Sequence, residues 1–231
     1  MSFFQALLFD CDGVLLDSEP LACAALAQAI TGAGVAIDAP EAMRLFAGNS
    51  DRACHGWLEA RGLDPHGILA DADRTLFGMF ERQVPVMPGI ERVVQGFAAR
   101  MAVCSNSHPD RLARSLGRTS LAAWFGPHVY SGDQVAAPKP APDLAMFAAA
   151  RLGVAPERAI FIDDNHHGIR CGRAAGCMTV GFVGPSDTRA QQGQTLRAAG
   201  ADHVVHGADG LYSLLERLGV PPRLPLVARS A

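Results

Sequence analysis

The first seventeen residues place a short apolar run directly before a group of acidic residues. The run spans residues 5 to 9, QALLF, and is followed by Asp10, Cys11, Asp12 and Gly13. It is too short for an ordinary helix and ends near a glycine, so it predicts a buried β-strand. Side chains two apart on an extended strand point to the same side, so Asp10 and Asp12 should converge just past the strand. Open α/β sheets bind their ligands at that carboxyl end.

Two neighbouring carboxylates repel each other, so this pair needs a cation, a shared proton or full hydration. A hard divalent ion such as Mg²⁺ is the natural partner for oxygen ligands of this kind. The alternative interpretation of this stretch is a solvated turn that ends the strand, since Asp and Gly are common in turns. The remainder of the chain bears on the choice between the two.

The order of predicted elements indicates an α/β protein with a helical insertion. Residues 18 to 82 show helical patterning without a strand-like run, and Ser18 is placed as the capping residue of the first helix. Short apolar runs then alternate with helical stretches, which is typical of a parallel sheet with helices on both faces. The sequence therefore predicts a Rossmann-like, doubly wound parallel sheet formed by residues 1–16 and 84–231, with a small helical bundle inserted at 17–83.

Polar side chains follow three of the predicted strands, and a loop lysine can reach the same edge of the sheet. They are Asp10 and Asp12 after the first strand, Ser105 after the second, Asp163 and Asp164 after a later one, and Lys139 on the loop. Because the carboxyl ends of parallel strands share one edge, all six should meet there. Such a set suits metal-assisted phosphoryl transfer, in which a carboxylate attacks phosphorus, a second acid protonates the leaving oxygen, and cations offset the developing charge.

Composition argues against several other classes of protein. The chain has a net charge of −3 and no block of basic residues, so nucleic acid is not an expected partner. No apolar run approaches the roughly 20 residues of a membrane helix, and the start lacks the pattern of a secretory signal. We therefore expect no membrane partner and a cytoplasmic location. The six cysteines form no CxxC pair, which favours free, buried thiols.

The acidic and polar segments resemble the motifs of the haloacid dehalogenase (HAD) superfamily. The similarity is to its branch with a helical cap after the first strand, which includes β-phosphoglucomutase-like proteins and many sugar-phosphate phosphatases. Four segments match the family's motifs in the family's order: DCDGVLLDSE at 10–19, VCSN at 103–106, KPAPD at 139–143 and FIDDN at 161–165. Each is unspecific alone, but four in order are specific. The resemblance covers about residues 4 to 205.

The resemblance implies a catalytic role for four positions. Asp10 would be the nucleophile and Asp12 the general acid/base, while Ser105 and Lys139 would hold the phosphoryl group. Dehalogenase members of the family lack the second aspartate of the first motif. The presence of Asp12 therefore favours phosphoryl chemistry over hydrolysis of a carbon–halogen bond.

The same resemblance implies a Mg²⁺ site and a set of substrate-binding positions. The metal ligands are four aspartates: Asp10, Asp12 through its backbone carbonyl, Asp164, and Asp163 close by. The substrate-binding positions are two beside the motifs and two in the cap: Gly13, Asn106, Gly48 and Asn49. The inserted bundle would be an α-helical cap domain over the active site.

The loop between the first two cap helices bears on the substrate. Phosphoglucomutase-like members carry basic residues there to grip a second phosphate, whereas this chain has Ala47 and Asp51. The difference favours a Mg²⁺-dependent phosphatase acting on a sugar phosphate or phosphorylated sugar acid through an aspartyl phosphate. A β-phosphoglucomutase-type phosphosugar mutase is the alternative.

Two non-enzymatic functions are also compatible with some of these residue types. A signalling receiver domain uses acidic residues, a Ser or Thr and a lysine, but its phosphoacceptor follows the third strand and it has no helical insertion. A catalytically inactive binding protein is disfavoured because no expected catalytic position is lost. We expect an enzyme that acts on a small phosphorylated molecule as a monomer or weak homodimer.

Overall fold

A parallel β-sheet of six strands forms the centre of the structure, a computed structural model that describes residues 3–47 and 51–223. The strands are β1 (Ala6–Phe9), β2 (Arg100–Ser105), β3 (Val129–Ser131), β4 (Ala159–Asp163), β5 (Met178–Val183) and β6 (His203–His206). They lie in the order β3-β2-β1-β4-β5-β6, and every neighbouring pair is parallel. The predicted parallel α/β sheet is confirmed.

Helices connect the strands and account for most of the remaining described chain. Those of the first half are α1 (Glu19–Gly32), α2 (Ala39–Phe46), α3 (Asp51–Glu59), α4 (Pro65–Arg82) and α5 (Ile90–Gly96). Those of the second half are α6 (Pro109–Arg114), α7 (Ala122–Phe125), α8 (Asp143–Leu152), α9 (His166–Ala175), α10 (Gln192–Ala198) and α11 (Gly207–Arg217). Within the described ranges, none of these helices combines the length and apolarity needed to cross a membrane.

The register of the central strands brings their carboxyl ends to one level. Phe9, the last residue of β1, lies opposite Val103 of β2 and Ile162 of β4. The N–H of Asp10 continues the ladder by donating to the carbonyl of Ile162 at 2.9 Å. Asp10 and Asp163 therefore emerge side by side at the edge of the sheet.

Helices cover the two faces of the sheet with separate apolar layers. Leu7 and Phe9 belong to the layer under α5 and α11, whereas Ala6 and Leu8 belong to the layer under α8 and α9. All four side chains are fully buried, as expected for a central parallel strand packed on both faces. This double burial explains why β1 reads as a continuous apolar run in the sequence.

Helices α1 to α4 form a helical insertion with apolar clusters of its own. Helix α1 packs against α2 and α4, and Ile30 of α1 is fully buried between them. The two segments that join this insertion to the sheet pair with each other. Leu16 forms an antiparallel bridge with Val86, and the N–H of Asp17 donates to the carbonyl of Pro85 at 2.9 Å. The insertion therefore leaves and rejoins the sheet at adjacent points.

Candidate active site

Lys139 lies at the centre of a buried charge network at the carboxyl edge of the sheet. Its Nζ atom donates to Oδ1 of Asp10 at 2.6 Å and to Oδ2 of Asp163 at 2.8 Å. Burial alone would lower the pKa of this ammonium group, but the two carboxylates outweigh burial and raise the pKa. Lys139 is therefore a permanent positive charge between two aspartates.

The side chain of Asn106 forms hydrogen bonds with the loop that carries Lys139. Its side-chain amide donates to the carbonyl of Lys139 at 3.0 Å, and its Oδ1 accepts from the N–H of Lys139 at 3.0 Å. Both polar groups of the Asn106 side chain thus bind the backbone of the catalytic candidate. Its sequence-based assignment to substrate binding stays a prediction, and the structure gives the side chain a positioning contact.

The position of the Asp163 carboxylate depends on a turn after β4 and on a glycine in the following helix. Its Oδ1 accepts from the N–H of Asn165 at 2.8 Å, where β4 turns into α9. A Cβ atom at Gly168 would stand only 1.7 Å from Oδ2 of Asp163. Any residue other than glycine at this position would displace the carboxylate from Lys139.

Asp164 is held from two directions. Gly13 has φ of +81°, and a Cβ there would lie 2.5 Å from Cγ of Asp164. Arg189 donates through Nη2 to Oδ2 of Asp164 at 2.7 Å, and the same guanidinium is bound by both carboxylate oxygens of Asp187. Gln192 donates from its side-chain amide to the backbone carbonyl of Asp164. These contacts hold the Asp164 carboxylate next to Gly13, just after β1.

Three of the predicted metal ligands come together. One carboxylate oxygen from each of Asp10, Asp163 and Asp164 lies within 4.8 Å of the other two. Burial raises the pKa of Asp10 well above its ordinary value, with partial opposition from Lys139. Burial likewise raises the pKa of Asp164 to about 7, with partial opposition from Arg189. The cluster has more buried negative charge than its two cations offset, and oxygen ligands of this type fit Mg²⁺.

The side chain of Asp12 has a different set of partners. Hydroxyl groups of Ser18 and Ser107 donate to its two carboxylate oxygens, and Nη2 of Arg111 lies 3.6 Å from Oδ1. Burial raises the pKa of Asp12, but Arg111 and the hydroxyl donors outweigh it, and the pKa is lowered overall. Asp10 and Asp12 therefore stand in opposite electrostatic environments although only one residue separates them.

Ser18 corrects one expectation from the sequence. Its side chain makes no capping hydrogen bond to α1, although it stands at the capping position. The hydroxyl is used by Asp12 instead. The backbone of Ser18 is already helical (φ −83°, ψ −19°) rather than extended, so its hydroxyl is not placed to accept from the first N–H groups of α1.

Ser105 ends β2 with a buried side chain that lines the same cavity as Asp10. Its Oγ atom accepts from the N–H of Ser107 at 3.1 Å, which turns the chain after the strand. Gly48 and Asn49, the two substrate-binding positions predicted in the helical insertion, lie outside the described residues. Ala47 lies at the end of α2. It is one of the two positions where mutase-like members of the family carry basic residues.

A cavity of about 990 Å³ opens between the sheet edge and the helical insertion. The sheet side contributes the aspartates, Ser105 and Lys139. The insertion contributes residues of α1 and α4: Glu19, Ala22, Leu26, Leu69, Ala72, Asp73, Leu76 and Phe77. Among the described lining residues, none from the insertion is a lysine or arginine.

Sequence reasoning missed three residues that touch the predicted carboxylates. Ser107 and Arg111 both contact Asp12, and Arg189 contacts Asp164. Ser107 and Arg111 follow β2 within six residues. Their position just after a strand that ends in a predicted site residue, Ser105, is a signal by which the sequence could have identified them. Arg189 stands 25 positions after its partner in a loop without a motif, and no local signal marks it.

Comparisons with known proteins agree with this geometry. A family model described as haloacid dehalogenase-like hydrolase matches residues 4–176. The chain is 28% identical over 183 residues to a 6-phosphogluconate phosphatase of Escherichia coli, covering 76% of this chain and 81% of the relative. It is 29% identical over 176 residues to a fructose-1-phosphate phosphatase of the same species, covering 75% and 93%. A crystal structure of a haloacid dehalogenase-like protein from Agrobacterium tumefaciens matches with a TM-score of 0.83 and 32% identity, covering 94% of this chain and 99% of that one.

Proposed function

The chain belongs to the haloacid dehalogenase-like hydrolase family, and on that premise we propose that it is a Mg²⁺-dependent phosphatase working through an aspartyl-phosphate intermediate. The observation that carries the proposal is the pair of aspartates after β1. Asp10 lies against Lys139 and the Asp163 and Asp164 carboxylates, whereas Asp12 is held apart from them by hydroxyl groups and Arg111. One strand end thus presents a nucleophile and a separate proton-transfer group.

The proposed reaction has two steps in which the bonds exchanged at phosphorus balance. An oxygen of Asp10 attacks phosphorus and the ester bond breaks, while protonated Asp12 gives its proton to the leaving oxygen. Water then attacks the acyl phosphate, loses a proton to Asp12 and releases phosphate, which restores the Asp10 carboxylate. The lowered pKa of Asp12 favours its ionised form, the form needed in the second step. It must take up a proton before the first step.

The metal and two polar side chains supply the electrostatic part of the proposal. Asp10, Asp163 and Asp164 would hold Mg²⁺ together with the backbone carbonyl of Asp12. When bound, the ion offsets the charge of these carboxylates and of the phosphoryl oxygens, which keeps Asp10 ionised for attack. Lys139 and Ser105 would donate to the phosphoryl oxygens, since both line the cavity beside Asp10.

The helical insertion is proposed as a cap domain at residues 17–83, over a core formed by 1–16 and 84–231. Three features support this division. The insertion has its own apolar clusters, its two connecting segments pair with each other, and it forms one wall of the cavity above the catalytic candidates. Residues of the insertion would therefore select the leaving group.

The substrate is proposed to be a small sugar phosphate or phosphorylated sugar acid. Both compound classes occur in the names of the relatives from Escherichia coli. The lack of lysine and arginine among the described lining residues of the insertion favours a hydrolase, because a mutase must hold a second phosphate there.

Phosphate release with Mg²⁺ from a panel of sugar phosphates, phosphorylated sugar acids and nucleotides tests the proposal. We expect release from one of the first two classes and its loss after chelation of divalent ions. Asp10→Asn should abolish turnover, because an amide cannot form the acyl phosphate. Ser120→Ala, which removes an exposed hydroxyl that donates to Glu91 away from the cavity, serves as a folding control. Isomerisation of glucose 1-phosphate without phosphate release would instead establish a mutase, and full activity of Asp10→Asn would refute the assigned nucleophile.

A further inference from the structure

Arg111 stands at the boundary between the proposed catalytic groups and the space for the leaving group. It lies on α6, six residues beyond the end of β2, with a side chain that is 25% exposed and lines the cavity. Its Nη2 atom is 3.6 Å from Oδ1 of Asp12, too far for a good hydrogen bond. Its Nε atom is buried and has no hydrogen-bond partner among the described residues.

The guanidinium of Arg111 has N–H groups that are not used in hydrogen bonds. A guanidinium group offers five N–H donors in a planar fork, and a buried donor left unpaired is costly. Asp73 of α4 and Glu19 of α1 also act on this guanidinium electrostatically, so it faces the helical insertion as well as Asp12. The guanidinium can therefore gain hydrogen bonds by donating to an oxyanion in the cavity.

The charges that line the cavity leave few other places for a second anion. Among the described lining residues, Lys139 and Arg111 supply all the lysine and arginine charge. Lys139 is committed to Asp10 and Asp163 at the site proposed for the phosphoryl group. Arg111 is thus the cation available to the remainder of the substrate.

The position of Arg111 relative to Asp12 places it on the leaving-group side. A general acid must approach the leaving oxygen to within about 3 Å. Because Arg111 is a neighbour of that acid, its guanidinium would lie beside the atoms attached to the leaving oxygen of a bound substrate. A planar guanidinium binds a carboxylate through two parallel hydrogen bonds, a geometry that a neutral hydroxyl group does not offer.

We propose that Arg111 binds a carboxylate of the leaving group, so that the enzyme prefers phosphorylated hydroxy acids to their neutral counterparts. The inference rests on the proposed phosphatase function and narrows its substrate class. Arg111 is in this sense a specificity-determining residue, distinct from the nucleophile and the acid/base.

Matched substrate pairs test the proposal in the full chain with Mg²⁺. One pair is 3-phosphoglycerate and glycerol 3-phosphate, and the other is 6-phosphogluconate and glucitol 6-phosphate. Within each pair a carboxylate is replaced by a hydroxymethyl group. We expect wild type to favour the acid of at least one pair in kcat/KM.

Arg111→Gln should reduce this acid-to-alcohol ratio by about 10- to 100-fold, mainly through KM for the acid. Arg111→Lys keeps the charge without the fork and should retain an intermediate ratio. Arg151→Gln removes a surface arginine that stacks on Phe147 and does not line the cavity, and it should leave the ratio unchanged.

Two outcomes would overturn the role of Arg111. Wild type could show no preference within either pair, or Arg111→Gln could slow the acid and the alcohol equally, which is the result expected if the residue only positions Asp12. Absence of phosphate release from every compound would instead refute the phosphatase function itself. The two failures are therefore distinguishable.

Discussion

At the scale of single residues, the candidate site depends on positions where a side chain is missing. Gly13 and Gly168 belong to different parts of the sequence, yet each occupies the space next to an aspartate of the buried acidic cluster. The acidic residues of the site are visible as motifs in the sequence. The steric need for glycine at these two positions becomes clear only in the structure, where the neighbouring carboxylates occupy the space that a Cβ atom would fill.

Gly13→Ala should weaken Mg²⁺ binding by at least about tenfold, because the new Cβ overlaps the Asp164 carboxylate. The positive φ adds a backbone cost of about 1–2 kcal/mol for a residue with a Cβ. Gly62→Ala provides the control, since Gly62 also has a positive φ, +70°, but open space around its Cβ position. Titration calorimetry with Mg²⁺ and thermal unfolding separate the two effects. Equal Mg²⁺ affinity in both variants would contradict the steric argument.

Residue identities at the strand ends could be predicted from the sequence, whereas most of their partners could not. Asp10 and Asp163 are found together because parallel strands end at one edge, and Lys139 reaches them from the loop before α8. The local pattern predicts that Ser18 caps α1, but its backbone is helical and its hydroxyl donates to the carboxylate of Asp12, six residues earlier. Neither the backbone conformation of Ser18 nor its contact with Asp12 is encoded in spacing.

At the scale of elements, strands and long helices were predictable because their burial leaves strong patterns. β1 and β4 are buried along their whole length and read as apolar runs. Helices α7 and α10 were not predicted. Each is short and has little buried apolar surface, with Phe125 the buried side chain of α7 and Leu196 the buried apolar one of α10. Their helical form depends on the surrounding fold more than on periodicity.

The contact between α4 and α6 gives a prediction at this scale. Arg114 of α6 stacks on Phe77 of α4 with its guanidinium carbon 4.6 Å from the ring centroid, which links the sheet side to the helical insertion. Arg114→Ala should raise KM about two- to fivefold, because losing an exposed cation–π contact of roughly 0.5–1 kcal/mol loosens one wall of the cavity.

Arg92→Ala is the matched control for this variant. Arg92 also stacks on an aromatic ring, that of Tyr212, at 4.2 Å from the centroid, but its helix does not line the cavity. Steady-state kinetics on the best substrate of the panel would compare the two. The same KM in both variants would show that the Arg114 contact does not support the cavity wall.

At the scale of the whole molecule, the buried carboxylates link stability to pH and to metal. The pKa of Asp164 rises from 3.8 to about 7 on folding, so between these values the folded chain holds a proton that the unfolded chain has released. Metal-free protein should therefore lose stability as pH rises through this window. Asp10 acts in the same direction, while the lowered pKa of Asp12 acts in the opposite one at more acidic pH.

The melting temperature measured with and without Mg²⁺ tests this linkage. Protons and the metal compete for the same carboxylates, so the rise in Tm caused by Mg²⁺ should be small near pH 5 and grow toward pH 8. Differential scanning fluorimetry at fixed ionic strength measures both series. A Mg²⁺ effect that is independent of pH would separate the metal from these aspartates.

The pairing of Leu16 with Val86 also has a consequence for how such a gene can change. Because the two ends of the helical insertion meet, about 70 residues can be replaced as one contiguous block of coding sequence without stretching or shortening the sheet. The candidate catalytic residues Asp10, Asp12, Ser105 and Lys139 are all encoded outside that block. A recombination event confined to it would alter which molecules are accepted while leaving the chemistry intact, and grafting a relative's insertion at these two points would reproduce that event in the laboratory.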